Sequence, residues 1–201
     1  MHVIAGRYKG RVLNTVSGRG TRPTTGRVRE SWASSVLSIL PNGFDGIAVL
    51  DAFAGSGALG IEALSRGAAS CRFFEVDKRA HQTVRTNLAN LGITADAANL
   101  TQGDVMVRAG GGSLAQEKAF DLVILDPPYA RTAAEIVNFL IRLAYNGDLD
   151  RGALISYEHA TGSFMPEEFP LLQESEGIGR FESARCKTYG STQISYLLYT
   201  G

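Results

Sequence analysis

Apolar residues fall along this chain in two patterns, short unbroken runs and longer stretches in which they recur every three or four positions. Ile47-Ala48-Val49-Leu50, Cys71-Arg72-Phe73-Phe74, Phe120 to Leu125 and Ala153 to Tyr157 are of the first kind and predict strands covered on both faces. The second kind predicts helices. Val28, Trp32, Val36 and Ile39 share one helical face that ends at Pro41-Asn42-Gly43, which makes Trp32 a core residue. Another helix runs from Ala58 to Gly67, and a third follows Asp77, a side-chain cap, with Ala80, Val84, Leu88 and Leu91 on one face before Gly92. Ala133, Ile136, Val137, Leu140 and Ile141 mark one more. Toward the C-terminus, Arg185 to Lys187 and Gln193 to Tyr199 flank Tyr189-Gly190-Ser191-Thr192 as a hairpin would. Strands alternating with helices predict an α/β domain, a parallel sheet with helices on both faces.

Charge at the end of an apolar strand has no packing role, and this chain places it there repeatedly. Phe120 to Leu125 runs into Asp126-Pro127-Pro128-Tyr129. The prolines remove two N–H donors, so the turn offers a carboxylate and carbonyl oxygens beside a flat ring. That set suits a planar group carrying an exocyclic amine, such as a nucleobase. Ile47 to Leu50 ends in Asp51 and feeds Ala52-Phe53-Ala54-Gly55-Ser56-Gly57-Ala58-Leu59-Gly60, a G-x-G-x-x-G loop that opens a helix. Phe73-Phe74 ends in Glu75, placed to accept the two hydroxyls of a ribose. These features imply a cofactor containing adenosine, either a dinucleotide or S-adenosylmethionine. A pyrophosphate would be repelled by Asp51, whereas an ammonium and a sulfonium would be drawn to it. Asp104, after Leu100-Thr101-Gln102-Gly103, is a candidate acceptor for the adenine amine.

Composition changes this picture in two ways. The 201 residues, 44% hydrophobic, suffice for one substantial core. Net charge is zero, yet residues 1 to 30 hold Arg7, Lys9, Arg11, Arg19, Arg22, Arg27 and Arg29 against Glu30 alone, so a segment of charge +6 precedes a body of −6. Such an arm is the footprint of a protein that touches phosphates at one end, and the interleaved Ile4, Tyr8, Val12 and Leu13 predict a short hairpin within it. Cys71 and Cys186 are expected to be free, buried thiols in a reducing compartment. The isolated His2, His81 and His159 suggest neither a metal site nor a catalytic dyad, and with no apolar run long enough to span a membrane the expected location is the cytoplasm.

Asp51 to Gly57, Glu75, Gly103-Asp104 and Asp126 to Tyr129, in this order, resemble the S-adenosylmethionine-dependent methyltransferases that act on exocyclic amino groups of nucleobases. Val3-Ile4-Ala5-Gly6-Arg7-Tyr8-Lys9-Gly10-Arg11 and Thr21-Arg22-Pro23-Thr24-Thr25-Gly26-Arg27-Val28-Arg29-Glu30 are similar to the bacterial 16S ribosomal RNA guanine-N2 methyltransferases, which modify one guanine in the loop of helix 31. The likeness runs through Gly67-Ala68 to Tyr189-Gly190-Ser191-Thr192; Ser31 to Ser35 departs from it, and Gly110-Gly111-Gly112 looks like a flexible insertion. The resemblance implies a doubly wound, mostly parallel seven-stranded sheet with an antiparallel C-terminal strand. It implies a basic extension over 1–25 and a methyltransferase domain over 26–201. The implied cofactor, S-adenosylmethionine, would be held by Asp51, Phe53, Gly55, Ser56, Gly57, Glu75, Asp104 and Val105. Asp126, Pro127, Pro128 and Tyr129 would be catalytic, and Arg7, Lys9, Arg11, Arg22, Arg27 and Arg29 would contact RNA. The implied partner is 16S RNA within a small-subunit assembly particle, met by a monomer without metal or membrane. An adenine-N6 methyltransferase shares the Asp-Pro-Pro-Tyr chemistry and stays open as the alternative; a nicotinamide oxidoreductase would leave Asp126 to Tyr129 without a task.

Overall fold

Each of the four apolar runs forms a strand. The computed structural model describes residues 1–16, 26–168 and 179–201, in two units, Met1–Asp104 and Val105–Gly201. The first unit contains helix α1 (Gly26–Ile39), strand β1 (Ala48–Asp51), α2 (Ala58–Ser65), β2 (Ser70–Glu75), α3 (Lys78–Leu91) and β3 (Ala98–Gln102). Its strands lie in the order β3-β2-β1, all parallel, with Asp51 opposite Phe73 and Glu75 opposite Gln102. The second unit contains α4 (Val105–Gly110), β4 (Phe120–Leu125), α5 (Ala133–Tyr145), β5 (Leu149–Ala160), β6 (Phe181–Tyr189) and β7 (Thr192–Tyr199). Here β4 runs parallel to β5, while β7 pairs antiparallel with both β5 and β6. The seven strands make the mixed, mostly parallel sheet with a reversed C-terminal strand that was expected.

Local chemistry explains the helix boundaries. Asp77 caps α3 by accepting the amides of Arg79 and Ala80, and Gly92 ends it with φ +67°; Ala80, Val84, Leu88 and Leu91 are all buried. Thr132 and Glu135 form a reciprocal capping box that starts α5. Trp32 is buried in α1 with its ring 5.7 Å from that of Phe44, the core role expected of it. Cys71 is a buried free thiol as expected, but Cys186 is exposed, because β6 is an edge strand. The triple glycine is not a loose insertion. Gly110 ends α4, the Asn146 side chain donates to the carbonyls of Ala109 and Gly112, and the buried Asp148 carboxylate accepts from Ser113 Oγ, Leu114 N and Ala115 N. Three donors on one oxygen hold this segment, which glycine content alone could not reveal.

The start of the chain is a tight hairpin closed by the Val3–Arg11 and Gly10–Val3 backbone bonds and a bridge between His2 and Val12. Helix α2 is buried on nearly every side, and the hairpin covers it. Glu62, fully buried in α2, accepts the amides of Ile4 and Ala5 at 2.9 and 3.1 Å and pairs with Arg66 at 2.8 Å. Ser65 bonds to Ala5 and Tyr8, and Asn87 of α3 exchanges two bonds with Asn14. Gly6, at φ +81°, comes so close that a Cβ there would lie 1.7 Å from the Ser65 carbonyl oxygen. Of the segment expected to be a separate extension, the part over 1–16 is thus built into the first unit; 17–25 lie outside the described residues.

Glu62→Ala should cost about 3–5 kcal/mol, because it strands two partly buried amides and removes the fully buried partner of Arg66. Chemical denaturation should register that loss, with fast amide exchange at Ile4 and Ala5. A variant as stable as the parent would mean that the hairpin is not held through Glu62.

Candidate functional site

In the first unit the site is a strand-to-helix turn. From Asp51 the chain passes through Gly55 (φ +55°) and Gly57 (φ +78°) into α2. The third glycine of the motif, Gly60, lets the helix approach the sheet, since a Cβ there would sit 2.3 Å from the Phe73 ring. At Gly55 the situation is reversed: a Cβ would meet nothing within 4 Å, so the space over this residue is open. Glu75, at the end of β2, accepts the Gly55 amide through Oε2 and the Asp77 amide through Oε1, each at 2.8 Å. Each oxygen keeps lone-pair capacity for a further donor, as two ribose hydroxyls require. Phe53, Ser56 and Asp104 are half-buried. Glu75, the open side of Gly55 and the α2 N-terminus therefore fit an adenosine-containing cofactor.

Two expected cofactor residues sit differently. Asp51 is buried and accepts the Gly60 amide at 3.1 Å, so its charge steadies the first turn of α2 from beneath the loop. Val105 opens α4 with its side chain packed inward, 1% exposed. The core claims both side chains.

In the second unit the Asp126–Tyr129 turn follows β4 directly. Its internal bond runs from the Arg131 amide to the Pro128 carbonyl at 2.9 Å, while the Tyr129 ring is 70% exposed beside it, free to stack on a base. Solvent reaches the Asp126 carboxylate, but protein crowds its other sides and raises its pKa from 3.8 to about 6. The sequence carried no sign of that shift. Nor was Glu158 of β5 singled out. It is half-buried, and desolvation first, then the charge of Asp126, raises its carboxyl to about 7. Its signal was present in Ile155-Ser156-Tyr157-Glu158, an acid near the end of an apolar strand, the same signature as Asp126. On the other face of β5, Phe164 packs edge-on against Tyr157 and His159, whose own rings are tilted at 37°, and His159 Nε2 pairs with Ser195 Oγ at 2.9 Å, so this histidine is a core residue.

Of the expected RNA contacts, Arg7, Lys9, Arg11 and Arg27 are exposed, with Arg7 over the Tyr8 ring and Arg11 bonded to the Asn90 carbonyl. Arg29 is a correction. It is 3% exposed beneath the hairpin and donates to the His2 carbonyl, so the first turn of α1 presents only Arg27. Arg22 lies outside the described residues. Among those that are described, no helix is long and apolar enough to cross a membrane, and no cluster of three potential metal ligands occurs.

Comparison with known proteins agrees with this geometry. Residues 1–198 match the family described as conserved hypothetical protein 95. A Bacillus subtilis protein provisionally named rRNA methyltransferase YlbH is 38% identical over 97% of both chains. Ribosomal RNA small subunit methyltransferase D of Escherichia coli K12 is 36% identical over 83% of this chain and 78% of its own. Among solved structures, an E. coli protein provisionally named methyltransferase yhhF superimposes with a TM-score of 0.77 at 30% identity, covering 100% of this chain and 98% of the other.

Asp126 and Glu158 hold protons more tightly in the folded than in the unfolded chain. The stability they contribute is full below the unfolded carboxylate range near pH 4 and is lost as pH rises through about 6 and about 7. Melting temperatures between pH 5 and 8 should therefore fall more steeply for the wild type than for an Asp126→Asn, Glu158→Gln double variant. Parallel profiles would show that the pair is not strained in this way.

Proposed function

This chain belongs to the conserved hypothetical protein 95 family, and from that premise we propose that it transfers a methyl group from S-adenosylmethionine to the exocyclic N2 of one guanine in 16S ribosomal RNA. One observation carries the reading: a crowded carboxylate at the end of a buried strand, followed by two prolines and a bare aromatic ring. Nothing in packing asks for that set, and an amine-bearing base uses all of it. The first unit supplies the cofactor side, with Glu75 taking the ribose and the glycine loop admitting the ligand backbone.

When bound, the cofactor supplies a methyl group on positively charged sulfur. The remaining work belongs to the turn. A base's exocyclic nitrogen is a weak nucleophile because its lone pair is delocalised into the ring. Asp126 and the Pro127 carbonyl accept its two N–H bonds, which favours a pyramidal nitrogen whose lone pair points away from them. Tyr129 holds the ring plane by stacking, a contribution of about 1–3 kcal/mol. As the N–C bond forms and the S–C bond breaks, the nitrogen becomes acidic, and its proton passes to Asp126 or through it to water. A carboxylate titrating at about 6 is ionised at neutral pH and is a better proton acceptor than an ordinary aspartate.

The target has to be unpaired, since a stacked base hides both its face and its amine. An assembling small subunit presents such a loop in one conformation, which lowers the ordering cost of binding for a small enzyme. The hairpin supplies phosphate contacts through Arg7, Lys9 and Arg11, with Arg27 beside α1's start.

Nucleoside mass spectrometry of 16S RNA from cells lacking the protein should show one N2-methylguanine missing, and purified enzyme should restore it on small-subunit particles. In single turnovers Asp126→Ala should lose at least about a hundredfold in rate with cofactor affinity within about tenfold, about 1.4 kcal/mol. Tyr129→Phe should stay near wild type. Loss of N6-methyladenine instead, or an undiminished N2-methylguanine level, would move the assignment elsewhere.

Because the hairpin is structural, its charges are better tested by substitution than by deletion. Replacing Arg7, Lys9 and Arg27 with alanine should lower the slope of log RNA affinity against log salt by about 0.7–0.9 for each side chain that meets a phosphate. Cofactor affinity should not change. A slope equal to the parent's would place the RNA contacts elsewhere.

A further inference from the structure

We propose that Glu158 is the residue that tells guanine from adenine, by accepting the ring N1–H beside the amine that Asp126 holds. This rests on the methyltransferase reading above and adds the source of base identity to it.

The placement follows from register. Leu125 of β4 is paired in parallel with Tyr157 of β5, and one step further along both strands stand Asp126 and Glu158. Side chains alternate along strands and paired residues share a face, so Asp126 and Glu158 emerge on the same face at the carboxyl end of neighbouring chains, about 4.8 Å apart at the backbone. Open α/β sheets bind their ligands at that end. The row continues through Ile194 of β7 to Lys187 of β6. Tyr157 and His159 occupy the opposite face, within the aromatic cluster.

A second carboxylate in this place is costly without a ligand. Like charges on adjacent strands repel, and among the described residues neither the Asp126 nor the Glu158 carboxylate has a hydrogen-bond or ion-pair partner. Two donors that arrive together would relieve both. Guanine offers such a pair, because N1–H and the N2 amine are neighbours on one edge. Adenine does not. Its amine is flanked by N1 and N7, both acceptors, and above about pH 7, where Glu158 is ionised, its carboxylate would face a lone pair. A site whose polar group is left unmatched by the wrong substrate rejects it strongly.

The test uses 2-aminopurine, which keeps the 2-amine and replaces guanine's N1–H with a bare acceptor. The wild-type enzyme first maps the methylated nucleotide on small-subunit particles; absence of N2-methylguanine there would sink the functional reading itself, not this proposal. Particles carrying guanine or 2-aminopurine at that nucleotide are then compared. Wild type should prefer guanine by about a hundredfold or more in kcat/KM. Glu158→Gln can turn its amide N–H toward the bare N1, so its preference should fall below about tenfold, chiefly by gaining on 2-aminopurine. Glu158→Ala should lose preference by slowing on guanine. The missing O6 of 2-aminopurine affects all three enzymes alike and cancels. Two results would overturn the proposal: wild type failing to discriminate, which needs no variant to fold, or both variants slowing equally on the two bases, as a residue that only supports Asp126 would do.

Discussion

A strand covered on both faces has room for charge only at its ends, and that constraint arranges this protein. β1 is buried throughout and β4 everywhere but at Asp121, and apart from that residue and the terminal Asp51 their side chains are apolar, because an unpartnered charge inside them would be costly. Acids that the chain needs for chemistry are therefore displaced to the carboxyl ends, where the backbone turns and water or a ligand can reach them. Asp51, Glu75 and Asp126 all stand at such ends. The ends nevertheless treat them differently. Asp51 is drawn under the loop to hold the α2 N-terminus, Glu75 ties the loop while keeping free lone pairs, and Asp126 stays accessible but crowded.

Glu62 shows the same physics with the opposite outcome. It is a charge inside a helix that is otherwise apolar, and it survives full burial because two backbone amides and Arg66 satisfy it. That arrangement requires the N-terminal hairpin to be seated on α2. The exposed Arg7, Lys9 and Arg11 are thus displayed from a fixed platform rather than from a tail, and an ordered display costs less entropy when RNA is bound. Gly6 is the residue that permits it, by removing the one Cβ that would collide with the Ser65 carbonyl.

Asp126 and Glu158 are held in a state that folding alone does not favour. Both lose hydration, and the charge of Asp126 makes Glu158 harder still to ionise. Sites that match donors on a substrate commonly carry such a penalty in their absence. Under the proposed reading, its relief on binding separates the right base from the wrong one, which is the form that specificity must take.

Much was legible from the residues. Unbroken apolar runs located the core strands and period-3.6 patterning the helices, Asp77 and Gly92 bounded α3, Trp32 read as core, and the acids at the ends of apolar runs marked the glycine loop and the Asp126–Tyr129 turn. These are local properties, set by apolar patterning, capping and turn chemistry within a few residues. Tertiary structure decided what depends on partners distant in the chain. Whether Arg29 faces RNA or His2, whether Asp51 meets a ligand or Gly60, and whether the triple glycine is loose or held by Asp148 are settled by contacts that no local pattern encodes. The same holds for Glu158, whose meaning comes from the register of β5 against β4: one residue of slip would turn it to the other face, and the two carboxylates would never meet.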